Sequence, residues 1–268
     1  MIGEALKGVP RDQVVVSVKF GALRDPAGGW SGYDGRPQAV KNYLAYSLQR
    51  LGLDYIDIYR PSRIDPDIPI EETVGAIADM VKAGCVRHIG LSEVGALTLR
   101  RAAAVHPISD LQIEYSLVSR GIEDEILPTC RKFGIGVTAY GVLSRGLISD
   151  SAQASKSAGE IRTRMPLFSD ENFPRNMALV QALAAIAREK NASTAQLAFA
   201  WVRSCGDDVV PLIGARRRDQ LREALGALEL TLTPADLARI AQAVPPEAVA
   251  GTRYLPAVLA HMDSEHAE

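Results

Sequence analysis

The sequence predicts an α/β fold, a parallel (β/α)8 TIM-type barrel lacking its first two strand-helix units. Three observations support this fold class. Short β-branched runs alternate with longer stretches of helical period, the pattern of a parallel sheet with crossover helices. Six such runs can be counted, whereas this kind of barrel closes with eight. A chain of 268 residues is long enough for one such core, so we predict a single domain over residues 1–268.

The predicted strands follow a short helical stretch, GEALKG, at the start of the chain. They are VVVSVKF at 14–20, YIDIY at 55–59, VRHIGL at 86–91, DLQIEY at 110–115, GVTAY at 136–140 and VVPLI at 209–213. Several are apolar at nearly every position, which is typical of strands covered on both faces. The first predicted strand therefore carries Lys19 close to its end.

Amphipathic helices are predicted between these strands. From Ile70, apolar residues recur at the spacing of one helix face, with Pro69 as a start signal and Gly84 as a stop. The same periodicity runs from Leu179 to a predicted end before Asn191. Helices of this kind suit the crossover connections of a parallel sheet.

One long irregular stretch covers residues 149–174 and is rich in Ser, Asp, Arg and Asn. Loops of this length in a compact domain are usually functional or disordered. The stretch follows a predicted strand, which places it on the face of a barrel where active sites lie. We predict a lid over a bound ligand, with plain disorder as the alternative.

The composition is that of an ordinary globular protein, with 23% charged residues, 47% hydrophobic residues and a net charge of −2. It predicts neither a nucleic-acid partner nor a membrane surface. No apolar run approaches the roughly 20 residues of a membrane span. Cys85, Cys130 and Cys205 are far apart and match no metal-ligand spacing, so we predict no metal site, reduced core thiols and a cytoplasmic location.

At the level of motifs the chain resembles the aldo-keto reductase family over nearly its whole length. The resemblance is carried, in order, by GEALKG, VVVSVKFG, LGLDYIDIYRPSRIDPDIPIEE, VRHIGLSE, LQIEYS, AYGVLSRGL and VVPLIGARRRDQLREALGAL. It implies an eight-stranded α/β barrel that binds a nicotinamide dinucleotide, usually NADPH, without a glycine-rich fingerprint. This chain also has no G-x-G-x-x-G.

The resemblance implies hydride transfer from the nicotinamide to a carbonyl, with a tyrosine as general acid. A lysine ammonium lowers the pKa of that tyrosine from its ordinary value of ~10. Lys19 matches this lysine, and Ser62 in YRPSR stands at the family's histidine position. The Ser62 hydroxyl could bond a carbonyl oxygen; otherwise Ser62 is a loop residue. The family's aspartate and tyrosine precede GEALKG and are not in this sequence, so we predict weak or absent activity.

Other side chains near Lys19 in the sequence have open roles. Trp30 and Tyr33 lie in the predicted loop GGWSGYDGRP, where they are candidates for substrate contacts or for simple loop anchors. Asp57, on the next predicted strand, either pairs with Lys19 or bonds the backbone or a helix cap. Neither Trp30 nor Tyr33 is expected to replace the general acid.

The resemblance also implies a set of cofactor residues. Ser92 and Gln112 would bond the nicotinamide carboxamide and Tyr140 would stack on its ring; Glu93 stands where the family often has Asn. The remaining matches are Gly141, Leu143, Gly214, Arg216, Gln220 and Glu223, with Ala224 replacing a frequent Asn.

Arg216, Arg217 and Arg218 precede or begin a predicted helix, where the helix dipole disfavours cations by ~0.3–1 kcal/mol each. A bound phosphate of NADP(H) would explain them. The alternative is a solvated basic helix start.

These observations leave two functions and one question of chain extent open. The first function is an NADPH-dependent reductase of small carbonyl compounds. The second is a catalytically inactive NADPH-binding or regulatory protein. Met1 could also be an internal residue of a longer protein, with the missing strands encoded upstream. If the barrel is open, its unpaired strand edges favour a homo-oligomer.

Overall fold

The structure is a computed structural model that describes residues 1–149 and 161–266. The strands are β1 Ser17–Phe20, β2 Ala22–Arg24, β3 Trp30–Tyr33, β4 Ile56–Pro61, β5 Val86–Ser92, β6 Ile108–Glu114, β7 Gly136–Tyr140 and β8 Val209–Pro211. The helices are α1 Ile2–Ala5, α2 Pro37–Leu51, α3 Ile70–Lys82, α4 Ala96–Val105, α5 Ile126–Phe133, α6 Phe173–Glu189, α7 Thr194–Ser204, α8 Arg218–Leu225, α9 Pro234–Ala243 and α10 Pro256–Leu259.

Six of these strands form one sheet in the order β1-β4-β5-β6-β7-β8. The pairs β1–β4, β4–β5, β5–β6 and β7–β8 are parallel. Each strand overlaps one of the six runs predicted from the sequence, so the predicted α/β class is confirmed. Helices separate the strands as a parallel sheet requires, because a parallel connection must return to the same end of the sheet.

The chain divides into two compact units and passes between them four times, once within β6 and once within β7. The first contains Met1–Gln112, Glu125–Gly136 and the described residues from Met262. Its core includes Tyr59, whose ring stacks on that of Phe20 at 4.4 Å and whose hydroxyl donates to the backbone oxygen of Val40 at 3.0 Å. One buried side chain on β4 thus contacts both β1 and α2.

The second unit contains Ile113–Asp124 and Val137–His261. Its helix α7 begins with a capping box, in which Ser193 and Gln196 satisfy each other's backbone amides. Asn176 on α6 is fully buried. Its amide nitrogen donates to the backbone oxygens of Leu167 and Ala250, and its oxygen accepts from the Ala250 amide. Asn176 therefore connects α6 to two irregular segments.

The described part of the predicted lid is compact. Residues 150–160 lie outside the described residues. After them come two 3-10 turns, Ile161–Arg164 and Pro166–Phe168, and α6 begins at Phe173. Leu167 and Phe168 are almost fully buried. A lid role for residues 149–174 stays a prediction.

The segment after Lys19 differs from the predicted loop. Residues Ala22–Arg24 and Trp30–Tyr33 pair as a two-stranded antiparallel hairpin. The segment is rich in glycine and lacks a clear alternation of polar and apolar residues, so its strands carry no periodic signal. Among the described residues, no helix has the length and apolar character needed to cross a bilayer.

Candidate functional site

Lys19 lies next to Arg60 in the register of β1 and β4. The Lys19 side chain is solvent-exposed but has many protein atoms around it. The pKa of Lys19 is lowered to about 8 by desolvation among these atoms, and further by the positive charges of Arg63 and Arg60. Glu93 and Asp110 act in the opposite direction. The Lys19 ammonium therefore loses its proton more readily than an ordinary lysine does.

Arg60 is 1% exposed and forms an ion pair with Asp110. It also donates to the Ser17 hydroxyl at 2.7 Å. A Cβ atom on Gly90 would lie 3.2 Å from Arg60 Nε and 2.9 Å from a methyl carbon of Ile58, so the glycine leaves room for the guanidinium. Burial of a charge is costly unless it is paired and hydrogen-bonded. Arg60 has the ion pair with Asp110 and the hydrogen bond to Ser17, whereas its Nε is buried without a hydrogen-bond partner among the described residues.

Ser62 and Arg63 follow the carboxyl end of β4. The Ser62 amide donates to the backbone oxygen of Phe20 at 2.8 Å, which holds this loop against the end of β1. Arg63 is half-buried. Its Nη1 donates to the backbone oxygen of Ser62 at 2.6 Å and lies 3.5 Å from the Ser92 hydroxyl. The predicted residues Lys19 and Ser62 thus lie on neighbouring strand ends of the first unit.

Ser92 and Gln112 are register partners on β5 and β6, and both are buried. Among the described residues, no hydrogen bond from protein reaches the side-chain amide of Gln112. Within the described ranges, the Ser92 hydroxyl has only the long contact from Arg63 at 3.5 Å. A hydroxyl beside an amide, both short of protein partners, suits a ligand carboxamide, which both donates and accepts hydrogen bonds.

Glu93, next to Ser92, is fully buried and has a positive φ of 55°. Its carboxylate accepts a hydrogen bond from the Ser264 hydroxyl at 2.8 Å. The neighbouring Asp263 carboxylate accepts from the Gly95 amide at 2.7 Å. The segment that begins at Met262 therefore contacts the chain directly after Ser92, at Glu93 and Gly95.

In the second unit, Tyr140 is half-buried, and its hydroxyl lies 3.1 Å from that of Tyr254. The Arg145 guanidinium lies over the Tyr254 ring and also contacts the Glu114 carboxylate at 3.3 Å. Arg253 approaches the same carboxylate at 3.5 Å. Two arginines thus neutralise Glu114, which has no solvent exposure at its side chain, and connect it to the tyrosine pair.

Gly141 follows Tyr140 with a φ of +71°. A Cβ atom there would lie 2.9 Å from the Glu114 side chain. Both the backbone conformation and the space therefore require glycine at this predicted cofactor position. Leu143, two residues further on, precedes the turn that presents Arg145.

The remaining predicted cofactor residues, including Arg216 with its predicted phosphate role, lie in and just before α8 in the second unit. Gly214, Arg216 and Glu223 are exposed, and Gln220 is half-buried. The Gln220 side-chain oxygen accepts from the backbone amides of Arg216 and Arg217 at 3.0 and 3.2 Å. Arg217 forms an ion pair with Asp219 at 2.9 Å, so the chain itself offsets one of the three arginines.

The structure decides between the alternatives for Asp57 and leaves those for Trp30 and Tyr33 open. The Asp57 carboxylate accepts from the Val16 amide at 2.7 Å and from Arg11 at 2.5 Å, so the backbone alternative is confirmed. Trp30 is 62% exposed and Tyr33 half-buried, with ring centroids 5.4 Å apart on β3. Their substrate contacts stay a prediction.

Several interactions were not predicted from the sequence: the Arg60–Asp110 pair, the two arginines on Glu114 and the Ser264–Glu93 contact. Charged residues inside apolar strand runs were the available signal, because a buried charge needs a partner. Asp110 and Glu114 both stand in such a run. The sequence did not show which side chain would be the partner of Asp110 or of Glu114.

The parallel sheet with its crossover helices defines an α/β protein, in which the first unit has Lys19, Ser92 and Gln112 near strand ends and the second unit has Arg216 just before α8. The match to known proteins gives the family. The model described as "Aldo/keto reductase family" matches residues 1–245, and the chain belongs to that family of oxidoreductase enzymes.

Individual relatives agree with this assignment. The chain is 39% identical over 255 residues to the probable aldo-keto reductase 1 of Glycine max, covering 95% of this chain and 73% of the relative. The solved glycerol dehydrogenase AKR11B4 from Gluconobacter oxydans matches with a TM-score of 0.84 and 26% identity over 91% of this chain and 77% of that one. A thermostable aldo-keto reductase, Tm1743, solved with the inhibitor epalrestat, matches with a TM-score of 0.72 and 26% identity, covering 90% and 76%.

Proposed function

We propose that the protein is an NADPH-dependent oxidoreductase that reduces a small carbonyl compound to an alcohol. The observation that carries this proposal is the buried pair of Ser92 and Gln112 on β5 and β6, in the same unit as Lys19 and in a chain of the aldo-keto reductase family. The family generally uses NAD(P)H, and the cofactor, when bound, supplies the hydride.

The residues of this chain would bind and orient that cofactor. Ser92 and Gln112 would hold the carboxamide, and Tyr140 would pack against the ring, with its hydroxyl kept in place by Tyr254. Arg216 would bind the 2'-phosphate through its planar donors. Gly141, Leu143, Gly214, Gln220 and Glu223 are proposed as further contacts.

Only some of the residues that would polarise and protonate the carbonyl oxygen have a match in this sequence. Lys19 would hold a positive charge close to the reacting carbonyl, and Ser62 would donate a hydrogen bond to its oxygen. A positioned general acid contributes about 100- to 10,000-fold of rate, and the family's tyrosine has no match in this sequence. We therefore propose slow turnover for these residues by themselves. We also propose that copies of the chain associate through the end strands β1 and β8. We propose a cytoplasmic location.

A second candidate, an NADPH-binding or regulatory protein without turnover, is favoured by serine at position 62 beside a retained set of cofactor residues. Fluorescence titration with NADPH and the rate of aldehyde-dependent NADPH oxidation separate the two. Binding with slow oxidation supports the reductase, and binding with no oxidation above the uncatalysed rate supports the second candidate.

The cofactor assignment is tested with Arg216→Ala. We expect NADPH to bind about tenfold or more weakly, because a charge-assisted hydrogen bond contributes ~1.5–3 kcal/mol, whereas NADH binding should change little. Arg222→Ala, at an exposed position in the last turn of the same helix, is the matched control. Equal losses for NADPH and NADH would contradict the 2'-phosphate role.

A further inference from the structure

Residues 262–266 contact the turn that follows β5 in the first unit, residues 93–95. The two stretches are called the docked segment and the β5 turn below. The docked segment begins with Met262, which is almost fully buried. Asp263 and Ser264 follow in a 3-10 turn, and the side chain of each makes a hydrogen bond to the β5 turn.

Asp263 bonds the start of α4. Gly95 directly precedes α4 and has no side chain that could accept from the free amides of the first helical turn. The Asp263 carboxylate accepts from the Gly95 amide at 2.7 Å, and a negative charge is favourable at this end of a helix. A Cβ atom on Gly95 would lie 2.8 Å from the backbone oxygen of Asp263. Glycine therefore leaves the space that the docked segment occupies.

Ser264 bonds the other end of the β5 turn. Its hydroxyl donates to the Glu93 carboxylate at 2.8 Å. Glu93 is fully buried and has a φ of 55°. A residue other than glycine keeps such a backbone conformation only where surrounding contacts maintain it. The hydrogen bond from Ser264 is one of these contacts.

Glu93 connects the docked segment to both predicted carboxamide residues. It follows Ser92 directly in the chain, and its backbone amide donates to the backbone oxygen of Gln112 at 3.1 Å. Ser92 and Gln112 are register partners on β5 and β6. A change in the Glu93 backbone would therefore change how the Ser92 hydroxyl and the Gln112 amide lie relative to each other.

We propose that Ser264 and Asp263 are positioning residues for the cofactor. They hold the β5 turn so that Ser92 and Gln112 present their polar groups to the nicotinamide carboxamide. The docked segment then contributes to cofactor affinity through Glu93, without touching the cofactor. The inference rests on the proposed function, which assigns the carboxamide to Ser92 and Gln112.

Calorimetric titration of the full chain tests this without turnover. NADP+ is compared with its 3-acetylpyridine analogue, in which a methyl group replaces the carboxamide NH2 and removes its two donors. The wild type should bind NADP+ about tenfold more tightly than the analogue. Ser264→Ala should weaken NADP+ binding about fivefold, the effect of one hydrogen bond, and change analogue binding much less. Asp263→Ala should act in the same direction.

A conservative variant, a control and a double variant separate positioning from a general loss of stability. Ser264→Thr keeps the hydroxyl and should keep the preference for NADP+. Ser47→Ala removes a half-buried hydroxyl that donates to a backbone oxygen within α2, and should leave both affinities unchanged. Because Ser264 acts through Ser92, the losses of preference in Ser264→Ala and Ser92→Ala should not add in the double variant.

The position of Gln112 can also be followed without a cofactor. The NMR signals of its side-chain amide are identified by their absence in Gln112→Glu. They should shift in Ser264→Ala and stay unchanged in Ser47→Ala, because only the first variant alters the contact with Glu93.

Four outcomes would overturn the inference. They are equal affinities of the wild type for NADP+ and the analogue, equal losses for both in folded Ser264→Ala, no rescue by Ser264→Thr, and unshifted Gln112 signals in Ser264→Ala. Circular dichroism establishes that each variant is folded. A wild type that does not bind NADP+ contradicts the proposed function, and the Gln112 signals then still decide the inference. NADP+ binding with unshifted Gln112 signals contradicts the inference alone.

Discussion

The charged groups at the strand ends of the first unit and those at the start of α8 in the second unit differ in burial. Arg60 and Asp110 are buried with their charges paired. Arg217 and Asp219 form a similar ion pair, but both side chains are 66% exposed. The two pairs share their chemistry, so the comparison separates the effect of burial from that of the ion pair itself. A buried charge is stabilised by its partner charge, whereas an exposed charge is stabilised by water or by a ligand.

The largest expected effect is at the buried pair. Asp110→Asn should lower the free energy of unfolding by ~3–5 kcal/mol, because Arg60 would remain charged in a buried site without its carboxylate. Urea unfolding followed by circular dichroism measures this loss. Asp79→Asn, which removes a carboxylate from the exposed pair with Lys41, is the control. Similar losses in the two variants would contradict the role assigned to burial.

An intermediate loss of stability is expected at Gly141. This prediction tests whether the buried Glu114 carboxylate of the second unit is held in place as firmly as the buried pair of the first unit. Gly141→Ala places a Cβ 2.9 Å from Glu114 at a positive φ, and should cost ~2–4 kcal/mol through backbone strain and displacement of the carboxylate. Gly134→Ala has a similar φ of 67° with nothing within 4 Å, so it should cost about 1 kcal/mol. A thermal melt of both variants makes the comparison, and equal losses would show that the close approach to Glu114 has no effect.

The smallest effect is expected at the exposed pair. Asp219→Asn should leave the midpoint of urea unfolding almost unchanged, because water and salt screen the attraction between Asp219 and Arg217. Any small difference should vanish in high salt. A clear loss of stability that persists in 1 M salt would show that this exposed pair stabilises the fold as a buried pair does, and would contradict the prediction.

Much of the fold follows from local sequence patterns. The six strands of the main sheet overlap the six β-branched runs, and α3 runs from Ile70 to Lys82 between the predicted start at Pro69 and stop at Gly84. These elements were predictable because burial on both faces of a strand, or on one face of a helix, leaves a period that a short window contains. The hairpin Ala22–Arg24 with Trp30–Tyr33 has no such period, and it was missed.

The family, the six strands of the main sheet and the position of Lys19 near a strand end follow from the amino-acid sequence. Which charged side chains meet follows only from the folded arrangement. Arg60 and Asp110 are 50 residues apart in the chain, and Glu93 meets Ser264 across 171. Such pairs depend on strand register and on where a distant segment docks, and neither leaves a local pattern. The physical reason is that a buried charge requires a partner, while the chain's path through space selects which one it finds.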